Sequence, residues 1–291
     1  MRRVCVIVIN YFAAEKTRAC LESLRGEAIT TLRLIDNSAD SAEAARFEET
    51  VADFLRTPVD WPVLVTMNDC NLGYGKAINR AVRVDRAGSE MHDCYLLLNN
   101  DAEGSPGFVR GLLEKLDESP HNALVTPQIA WGKGLVCLNW YQWLTGHLKS
   151  HPLPGAFAYA TGCCLLVDQR LVDQNGGLFD EDFFMYGEDV LLSWRAHQAG
   201  LSVTCADHIR VSHEGTGSSS HGGLFFEYHV ARGHVLLADK TARSSTERVL
   251  LRLGRIGYLA VRAVLRGVRY RSWNPPKAFL MAWSRRPVRL H

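Results

Sequence analysis

Short apolar runs alternate with longer amphipathic segments through the first 127 residues of this 291-residue chain. Short apolar runs bounded by turn residues are typical of buried strands, and the longer segments have helical periodicity. Regular alternation of the two favours an α/β fold, with a mostly parallel sheet flanked by helices. The pattern predicts strands near residues 4–10, 31–36, 62–67, 94–99 and 122–127, and helices near residues 13–25, 41–56, 75–85 and 106–118.

The second half of the chain is less regular. Its pattern predicts strands near residues 157–167 and 202–206 and a helix at residues 188–199. The segment 130–155 contains three tryptophans, several glycines and prolines, and no clear periodicity. It is either a mobile loop over a binding site or irregular structure packed by its tryptophans, and we favour the second interpretation.

Residues 178–189 concentrate five carboxylates and four aromatic rings directly before a helical pattern. A solvated acidic run needs no aromatic residues, and a core strand cannot hold so many acids because burying unpaired charge is costly. The mixture therefore indicates the rim of a pocket. Glu188 and Asp189 would lie in the first turn of a helix, where the helix dipole favours negative charge. The alternative is an ordinary helix start with acidic first-turn residues.

A second acidic position, Asp101, follows the apolar run 94–98 and two asparagines. Open α/β sheets bind ligands beyond the carboxyl ends of their strands. A hard divalent cation that carries a diphosphate needs only one or two protein carboxylates, so Asp101 is a candidate metal ligand. The alternative is an Asn/Asp-rich turn that caps a helix starting at Ser105 and Pro106, and both interpretations can hold together.

The eight cysteines include no Cys-x-x-Cys pair, and several lie in apolar runs. They predict reduced, buried thiols and no zinc site. The N-terminus leads directly into an apolar strand pattern, so no signal peptide is expected. No uninterrupted apolar stretch of about 18 residues predicts a membrane-spanning helix. We therefore expect a cytoplasmic protein.

The charges are unevenly divided along the chain. Residues 1–248 contain all 31 acids but only 23 of the 33 Lys and Arg residues, a net charge of −8, and the remaining ten bases follow Arg248. Such asymmetry indicates an anionic partner. Six arginines follow helical steps that align them on one face, namely Arg248, Arg252, Arg255, Arg262, Arg266 and Arg269.

A basic amphipathic helix of this kind, followed by Trp273 and Trp283, fits a monotopic contact with an anionic membrane surface. The alternative is a helix that packs its apolar face on the domain and leaves its arginines in water. No recognisable nucleic-acid-binding module is present, so we expect no nucleic-acid partner.

Seven motifs, taken in order, resemble the family 2 glycosyltransferases with the GT-A fold, and most closely the bacterial rhamnosyltransferase-type members. The resemblance covers roughly residues 4–240. Each motif is weak alone, but their order is specific. The motifs are residues 6–11 (VIVINY), 35–38 (IDNS), 71–79 (NLGYGKAIN), 97–101 (LLNND), 160–162 (ATG), 177–189 and 213–218 (HEGTGS).

The sequence departs from the family pattern at two positions. The family's metal motif is often Asp-x-Asp, whereas Asn99 occupies the first position here and leaves Asp101 as the one carboxylate. Leu191 stands where a further acid commonly follows the Glu-Asp pair. We interpret that acid as supportive in the family, so Asp189 keeps the catalytic assignment.

The resemblance implies an inverting transfer of a sugar, with rhamnose favoured, from a nucleoside-diphosphate donor to a glycan or lipid-linked saccharide in bacterial surface polysaccharide synthesis. Asp189 would be the general base and Glu188 would orient the acceptor or the base. Asp101 and His213 would bind Mg²⁺ or Mn²⁺, although a histidine after a strand is more often a hydrogen-bonded surface residue. The implied substrate-binding residues are Asn10, Asp36, Asn71, Gly73, Lys76, Asn100, Gly162 and Arg195.

Three of these residues have implied roles or open alternatives. Asp36 would hydrogen-bond the nucleotide base. Lys76 would approach the diphosphate, or be a solvated lysine at a helix start. Arg195 would contact substrate, or be a structural ion-pair partner for nearby acids.

The expected organisation is a catalytic domain at residues 1–240 and a basic amphipathic helical tail at residues 241–291. The nucleotide-sugar half of the domain would cover about residues 1–127 and the acceptor half about residues 128–240. The tail would hold the protein peripherally on the inner face of the cell membrane.

Other classes fit less well. An oxidoreductase needs a Gly-x-Gly-x-x-Gly motif after the first strand, where residues 10–14 read NYFAA. A nucleotidyltransferase predicts a basic glycine-rich loop near the N-terminus, which this sequence lacks. The remaining alternative is a non-catalytic nucleotide-sugar-binding or lectin-like relative with the same fold. The residues that argue against it are Asp101, Glu188, Asp189 and His213.

Overall fold

The computed structural model describes residues 2–88, 91–132, 134–215 and 222–284. The strands in these ranges are β1 (Val4–Asn10), β2 (Thr31–Asp36), β3 (Val63–Met67), β4 (Cys94–Asn99), β5 (Ala102–Gly104), β6 (Asn122–Trp131), β7 (Gly134–Val136), β8 (Asn139–Gln142), β9 (Leu148–Lys149), β10 (Ala156–Tyr159), β11 (Cys164–Asp168) and β12 (Ser202–His213). The helices are α1 (Ala14–Ser23), α2 (Ser41–Leu55), α3 (Tyr74–Ala87), α4 (Phe108–Asp117), α5 (Gln169–Asn175), α6 (Glu188–Gln198), α7 (Leu224–Thr241), α8 (Ser245–Tyr270) and α9 (Asn274–Ala282).

One large sheet organises the protein. Its strands follow the order β3-β2-β1-β4-β11-β6-β12-β5, and β7 pairs with β6. β1 runs parallel to β2 and β4, β2 to β3, and β6 to β12, whereas β11 and β5 are antiparallel to their neighbours. The predicted fold class is confirmed. Because β1, β2 and β4 are parallel, their carboxyl ends meet at one edge of the sheet.

Helices cover both faces of the sheet because the strand side chains alternate. In β1, Val4, Val6 and Val8 pack into a core that includes residues of α1, α2 and α4. Cys5 and Ile7 point the other way, into a core that includes residues of α3, α5 and α6. A fully buried parallel strand reads as a continuous apolar run for this reason.

The sequence pattern locates the elements of the first half to within two residues, apart from the end of β6 and the short strand β5, which it does not predict. In the second half it locates the helix at residues 188–199, which is α6, but it is less accurate for the strands. The single strand predicted at residues 157–167 is two strands, β10 and β11, and β12 is seven residues longer than predicted. The segment 130–155 forms the end of β6, β7 and most of a small sheet of order β10-β8-β9. Trp143 in this segment stacks on Trp194 with ring centroids 6.0 Å apart, so packing by tryptophans is the better interpretation.

The prediction of reduced, buried thiols is wrong at three positions. Cys137 and Cys205 form a disulfide, with Cα atoms 5.9 Å apart. They come together because both flank β6: Cys205 pairs with Thr126, and the Cys137 sulfur lies 3.8 Å from the Pro127 carbonyl. Cys70 is free but exposed.

The C-terminal helices α8 and α9 pack on α7. Ala231 and Val235 of α7, Leu259 of α8 and Ala282 of α9 form a small shared core. Among the described helices, none is both long and apolar enough to cross a membrane.

The orientation of α8 differs from both sequence-based alternatives. The arginine stripe faces α7, because Arg262 and Arg266 pair with the fully buried Glu227 and Arg252 pairs with Asp239. Arg255 is fully buried and donates to the Trp143 and Leu144 carbonyls. Four of the six stripe arginines are therefore engaged by the domain, whereas Arg248 and Arg269 stay exposed, and the apolar face of α8 points away from the domain.

Candidate active site

The ladder between β12 and β5 brings Asp101 and His213 together. His213 ends β12 opposite Ala102, the residue after Asp101. Its Nε2 atom lies 3.0 Å from Oδ1 of Asp101 and 3.3 Å from Nδ2 of Asn99. Both side chains are nearly buried, with exposed fractions of 8% for Asp101 and 9% for His213. Asp101 does not cap α4, whose first amides donate to Glu27 instead.

The electrostatics of this pair favour a charged carboxylate. Burial alone raises the pKa of Asp101, but the His213 hydrogen bond and the charge of Lys16 outweigh it, so the pKa is lowered. His213 Nδ1 is buried and has no hydrogen-bond partner among the described residues. Trp131 packs edge-on against the His213 ring at 5.5 Å. The Nε2 nitrogen of His213 beside the ionised Asp101 carboxylate is a donor set that suits a cation.

The glycine two residues after this histidine has a steric reason. Gly215 has a φ of +66°, and a Cβ atom there would lie 2.3 Å from Nε1 of Trp131. A side chain at this position would displace Trp131 from His213. The rest of the motif, residues 216–218, lies outside the described residues.

A second pair of carboxylates stands at the start of α6. Asp189 accepts hydrogen bonds from the backbone N–H groups of Val190 at 2.8 Å and Gly162 at 3.2 Å. Glu188 is 6% exposed, and its Oε2 atom has no partner in the part of the chain that the structure describes. Burial and the neighbouring Asp189 raise the pKa of Glu188 to about 8. Burial also raises the pKa of Asp189, and the N–H groups of Val190 and Gly162 partly offset it.

The other acids of the segment 178–189 have cationic partners. Asp180 pairs with Arg195 at 2.7 Å and with Lys240 at 2.8 Å, and Lys240 also pairs with Asp182. Glu181 pairs with Arg83. These ion pairs hold the segment against α3, α6 and α7. Glu188 and Asp189 have no such partner among the described residues, which separates them from the structural acids.

The two carboxylate sites are neighbours. The backbone N–H of Asn99 donates to the Cys163 carbonyl at 2.8 Å, so the end of β4 lies beside the segment that binds Asp189. Burial raises the pKa of the Cys163 thiol to about 12, and the charges of Asp101 and Asp189 both contribute. Because the charges of Asp101 and Asp189 both act on this one thiol, the two carboxylates belong to a single site.

Asn10, Asp36 and Asn100 form a buried network at the ends of β1, β2 and β4. Asn10 donates to Asp36 at 2.8 Å, and Asp36 also accepts from Ser38. Asn100 donates to Asn10, to the Ala13 carbonyl and to Thr17. Asp36 is only 1% exposed. These residues fix the strand ends, and their contact with a substrate stays a prediction.

The loop 71–79, whose residues from Tyr74 onward form the start of α3, is fastened to the acidic segment 178–189. Gly73 has a φ of +77°, and a Cβ atom there would lie 2.3 Å from the Phe184 carbonyl oxygen, which accepts the Tyr74 amide. The Tyr74 hydroxyl donates to the Gly162 carbonyl at 2.7 Å. Asn71 accepts from Gly73 and from Asn37. The loop therefore approaches Asp189 through Gly162.

Lys76 and Arg195 occupy different surroundings. Lys76 is exposed in the first turn of α3, and its charge acts on Glu181. Arg195 is held by Asp180, as the structural alternative expects. Their proposed contacts with substrate stay predictions.

Sequence reasoning missed two residues that organise the site. Glu43 is 1% exposed and accepts from Asn10, the Ala14 amide and Arg46. Asn37 accepts from Asn68 and the Leu72 amide. Glu43 stands three residues after the N-cap Asp40, a spacing that predicts a local capping role. The sequence therefore does not indicate its hydrogen bonds with Asn10 and Ala14.

A separate group, Cys5, Asp85 and His92, has potential ligand atoms within 4.8 Å of one another. It lies toward the opposite ends of the strands from Asp101. Asp85 already accepts from Arg33, His92 and Tyr95. The group is therefore a satisfied buried network.

A curled, mostly parallel sheet with a carboxylate and an imidazole at its strand ends, facing a helix that begins with two acids, defines a GT-A glycosyltransferase. The chain belongs to glycosyl transferase family 2, whose family model matches residues 5–176. It is 28% identical to the N-acetylglucosaminyl-diphospho-decaprenol L-rhamnosyltransferase of Mycobacterium tuberculosis over 225 residues, which are 67% of this chain and 72% of the relative.

Two solved structures share the fold. GalNAc-T7 with UDP, GalNAc and Mn²⁺ is 14% identical, with a TM-score of 0.63 over 82% of this chain; the chain spans about half, 48%, of that protein. The mannosyltransferase PcManGT from Pyrobaculum calidifontis, in complex with GDP-Man and Mn²⁺, is also 14% identical, with a TM-score of 0.58 over 97% of this chain and 85% of its own. The predicted family and the predicted enzyme class are confirmed.

Proposed function

We propose that the chain transfers a sugar, with rhamnose favoured, from a nucleoside-diphosphate donor to a lipid-linked saccharide, with inversion, in bacterial surface polysaccharide synthesis. The observation that carries the proposal is the meeting of two carboxylate sites around residues 162–163. One site suits a cation and a diphosphate, and the other suits proton abstraction. The Mycobacterium tuberculosis relative is named for a rhamnose transfer to a diphospho-decaprenol-linked sugar, which supports this donor sugar and acceptor class.

The donor would lie across the carboxyl ends of β1, β2 and β4. Asp36 and the loop 71–79 would bind its nucleoside, and Lys76 would approach the diphosphate from the first turn of α3. Asn10 and Asn100 would hold the strand ends in register. Gly73 allows the loop backbone to come close to a ligand because it has no side chain.

Asp101 and His213 fit a Mg²⁺ or Mn²⁺ ion. Both side chains would hold the ion, one through an imidazole nitrogen and one through a carboxylate oxygen. Nε2 of His213 and Oδ1 of Asp101 are 3.0 Å apart. When bound, such an ion neutralises the charge that develops on the departing nucleoside diphosphate.

Asp189 would take the proton of the acceptor hydroxyl as the hydroxyl oxygen attacks the anomeric carbon. The bond from that carbon to the diphosphate breaks, and the nucleoside diphosphate leaves with the bonding electrons. With its pKa at about 8, Glu188 holds a proton near neutral pH, so the charge of the pair rests on Asp189. A single displacement inverts the configuration at the anomeric carbon.

The deciding experiment mixes the purified chain with a panel of nucleotide sugars, with and without a lipid-linked saccharide. We expect release of nucleoside diphosphate that depends on the acceptor, together with a product one sugar heavier and of inverted anomeric configuration. Donor binding without turnover of any acceptor would instead support a non-catalytic nucleotide-sugar-binding relative. A retained configuration would contradict the single displacement.

A lipid-linked acceptor also fits a peripheral position on the inner face of the cell membrane. The basic tail with its exposed Arg248, Arg269, Arg271 and Lys277 supports an anionic surface as the partner. Vesicle sedimentation at two salt concentrations tests this position independently of turnover, since electrostatic attraction is screened by salt.

A further inference from the structure

The side of α8 that faces away from α7 is almost entirely aliphatic. We call it the outer face of α8, and its exposed residues range from 42% for Ile256 to 75% for Val268. Helical steps put them on one side of the helix, opposite the buried Leu251, Arg255, Leu259 and Ala263. The outer face consists of Val249, Leu250, Leu253, Ile256, Val261, Val264, Leu265 and Val268.

The outward orientation of this face is fixed by the charges beneath it. Glu227 is fully buried and accepts hydrogen bonds from Arg262 at 2.8 Å and from Arg266 at 2.7 Å. Arg255 lies over the Tyr141 ring at 5.1 Å. Turning α8 to bury its apolar side would leave a carboxylate buried without a partner, which is strongly unfavourable.

The size of the face exceeds what scattered surface residues explain. The exposed aliphatic residues run from Val249 to Val268, a length of about 30 Å at 1.5 Å per residue. Contiguous apolar patches of this extent mark an interaction surface.

The charged residues around the outer face of α8 favour a lipid surface as its binding partner. Arg269, Arg271 and Lys277 are exposed around the C-terminal end of the face, and no acid follows Glu247 in the sequence. A second copy with its α8 parallel to this one would bring these like charges together, whereas anionic headgroups complement them. The face also lacks the aromatic and Met anchors that are typical of protein interfaces, and smooth aliphatic helices suit fluid acyl chains.

We propose that the outer face of α8 inserts into one leaflet, with the helix parallel to the membrane and the aliphatic side chains among the acyl chains. The exposed basic residues near its end would contact anionic headgroups. This proposal deepens the peripheral position given under Proposed function, and it replaces the arginine stripe with an apolar surface as the main source of binding. It differs physically from a purely electrostatic contact because it leaves a component that salt does not screen.

The test uses full-length protein, because removing α8 would expose the core that it shares with α7. The outer-face variant carries Leu253→Gln, Val264→Gln and Val268→Gln; glutamine keeps the helix propensity while removing apolar area. A matched control carries Leu64→Gln and Val84→Gln, which are exposed by 41% and 57% on other elements. A charge variant carries Arg269→Gln, Arg271→Gln and Lys277→Gln.

Partition is measured by sedimentation with phosphatidylglycerol–phosphatidylcholine vesicles at low and high salt. We expect the outer-face variant to bind about tenfold or more weakly at both salt concentrations, from the lost apolar contact. The control should bind like the parent. The charge variant should lose binding mainly at low salt.

A second measurement reports insertion directly. Leu253→Trp introduces a tryptophan on the outer face, and lipids brominated on their acyl chains should quench its fluorescence beyond the quenching of the parent. The same substitution at Leu64 should add no quenched signal.

Two outcomes would overturn the proposal. One is equal vesicle binding by the parent and the outer-face variant. The other is a parent dimer in sedimentation equilibrium that dissociates in the outer-face variant, with no vesicle binding, since a second copy would then cover the face. Neither measurement uses donor or acceptor, so an inactive protein that binds vesicles would contradict the proposed transfer alone.

Discussion

The backbone N–H of Gly162 donates to Oδ2 of Asp189 over 3.2 Å, and the carbonyl of Gly162 accepts the Tyr74 hydroxyl over 2.7 Å. One residue thus joins the start of α6 to the loop that precedes α3. A Cβ atom on Gly162 would lie 3.4 Å from the Tyr74 ring, so the contact is close even without a side chain. The position of the candidate base therefore depends on the loop proposed to bind the donor.

Asp189→Asn tests the general base. Asparagine keeps the shape and still accepts the Gly162 amide, but it cannot take a proton, so turnover should fall by roughly 10²-fold or more with donor affinity little changed. Steady-state kinetics and donor calorimetry measure the two effects. Asp182→Asn is the matched control, because Asp182 lies in the same segment but is exposed and paired with Lys240. Turnover of Asp189→Asn within a few-fold of the parent would remove the assignment.

Asp101→Asn and His213→Gln test the cation site. We expect activity to need a divalent cation, and we expect each variant to weaken Mn²⁺ binding in the presence of nucleoside diphosphate by about tenfold or more. Calorimetric titration of Mn²⁺ measures this without turnover. Full activity after exhaustive chelation would rule out the metal role. A loss of binding in Asp101→Asn alone would remove only the histidine.

These two sites also show which active-site residues can be predicted from the sequence alone. Asp101, Asp189 and His213 stand at ends of β4, α6 and β12, so strand-end position and motif order locate them. Glu43 could not be located in this way, because its partners Asn10 and Ala14 are remote in sequence and its spacing from Asp40 has a local explanation.

The C-terminal tail shows a different limit of prediction from sequence. Helical periodicity gives two faces of α8 correctly, yet it cannot say which one is buried. An aliphatic face is normally the buried one, but Glu227 on α7 and the carbonyls of Trp143 and Leu144 provide partners for the arginines. The segment 130–155 likewise folds through contacts between aromatic rings that are distant in sequence. Local periodicity does not predict such contacts.

Glu188→Gln tests the raised pKa of Glu188. Because burial and Asp189 raise that pKa from 4.5 to about 8, the folded protein holds a proton that the unfolded chain loses, and stability from this group falls as pH rises between those values. Relative to the parent, Glu188→Gln should therefore gain about 2 kcal/mol or more in free energy of unfolding when the pH rises from 5 to 8.5. Urea unfolding at both pH values measures the shift.

Glu181→Gln is the control for this comparison. Burial raises the pKa of Glu181, but Arg83 and Asn79 outweigh it and lower the pKa below 4.5, so this group stays ionised across the same range. The Glu181→Gln difference should not change with pH. Parallel pH profiles for both variants would contradict the raised pKa of Glu188.

Gly73→Ala tests the fastening of the loop 71–79. A methyl group there meets the Phe184 carbonyl, so the loop must shift, which should destabilise the protein by about 2 kcal/mol and raise the KM for the donor. Gly26→Ala provides the matched control, because Gly26 has a similar φ of +73° with no atom within 4 Å of the added carbon. The control should show only the smaller backbone cost, of about 1 kcal/mol. Equal losses in both would mean that the Phe184 contact contributes nothing.

Glu227→Gln tests what holds the arginine face of α8 inward. Glu227 is fully buried and pairs with Arg262 and Arg266, whose side chains are 17% and 20% exposed. Removing its charge leaves two poorly solvated guanidinium groups, which should cost about 3 kcal/mol in the free energy of unfolding. Asp239→Asn is the control, since Asp239 pairs with the 47% exposed Arg252 and should cost at most about 1 kcal/mol. Urea unfolding of both variants measures the contrast, and limited proteolysis should cut α8 faster only in Glu227→Gln. Similar small losses in both would mean that packing of the shared apolar core, rather than the buried carboxylate, sets which face of α8 points outward.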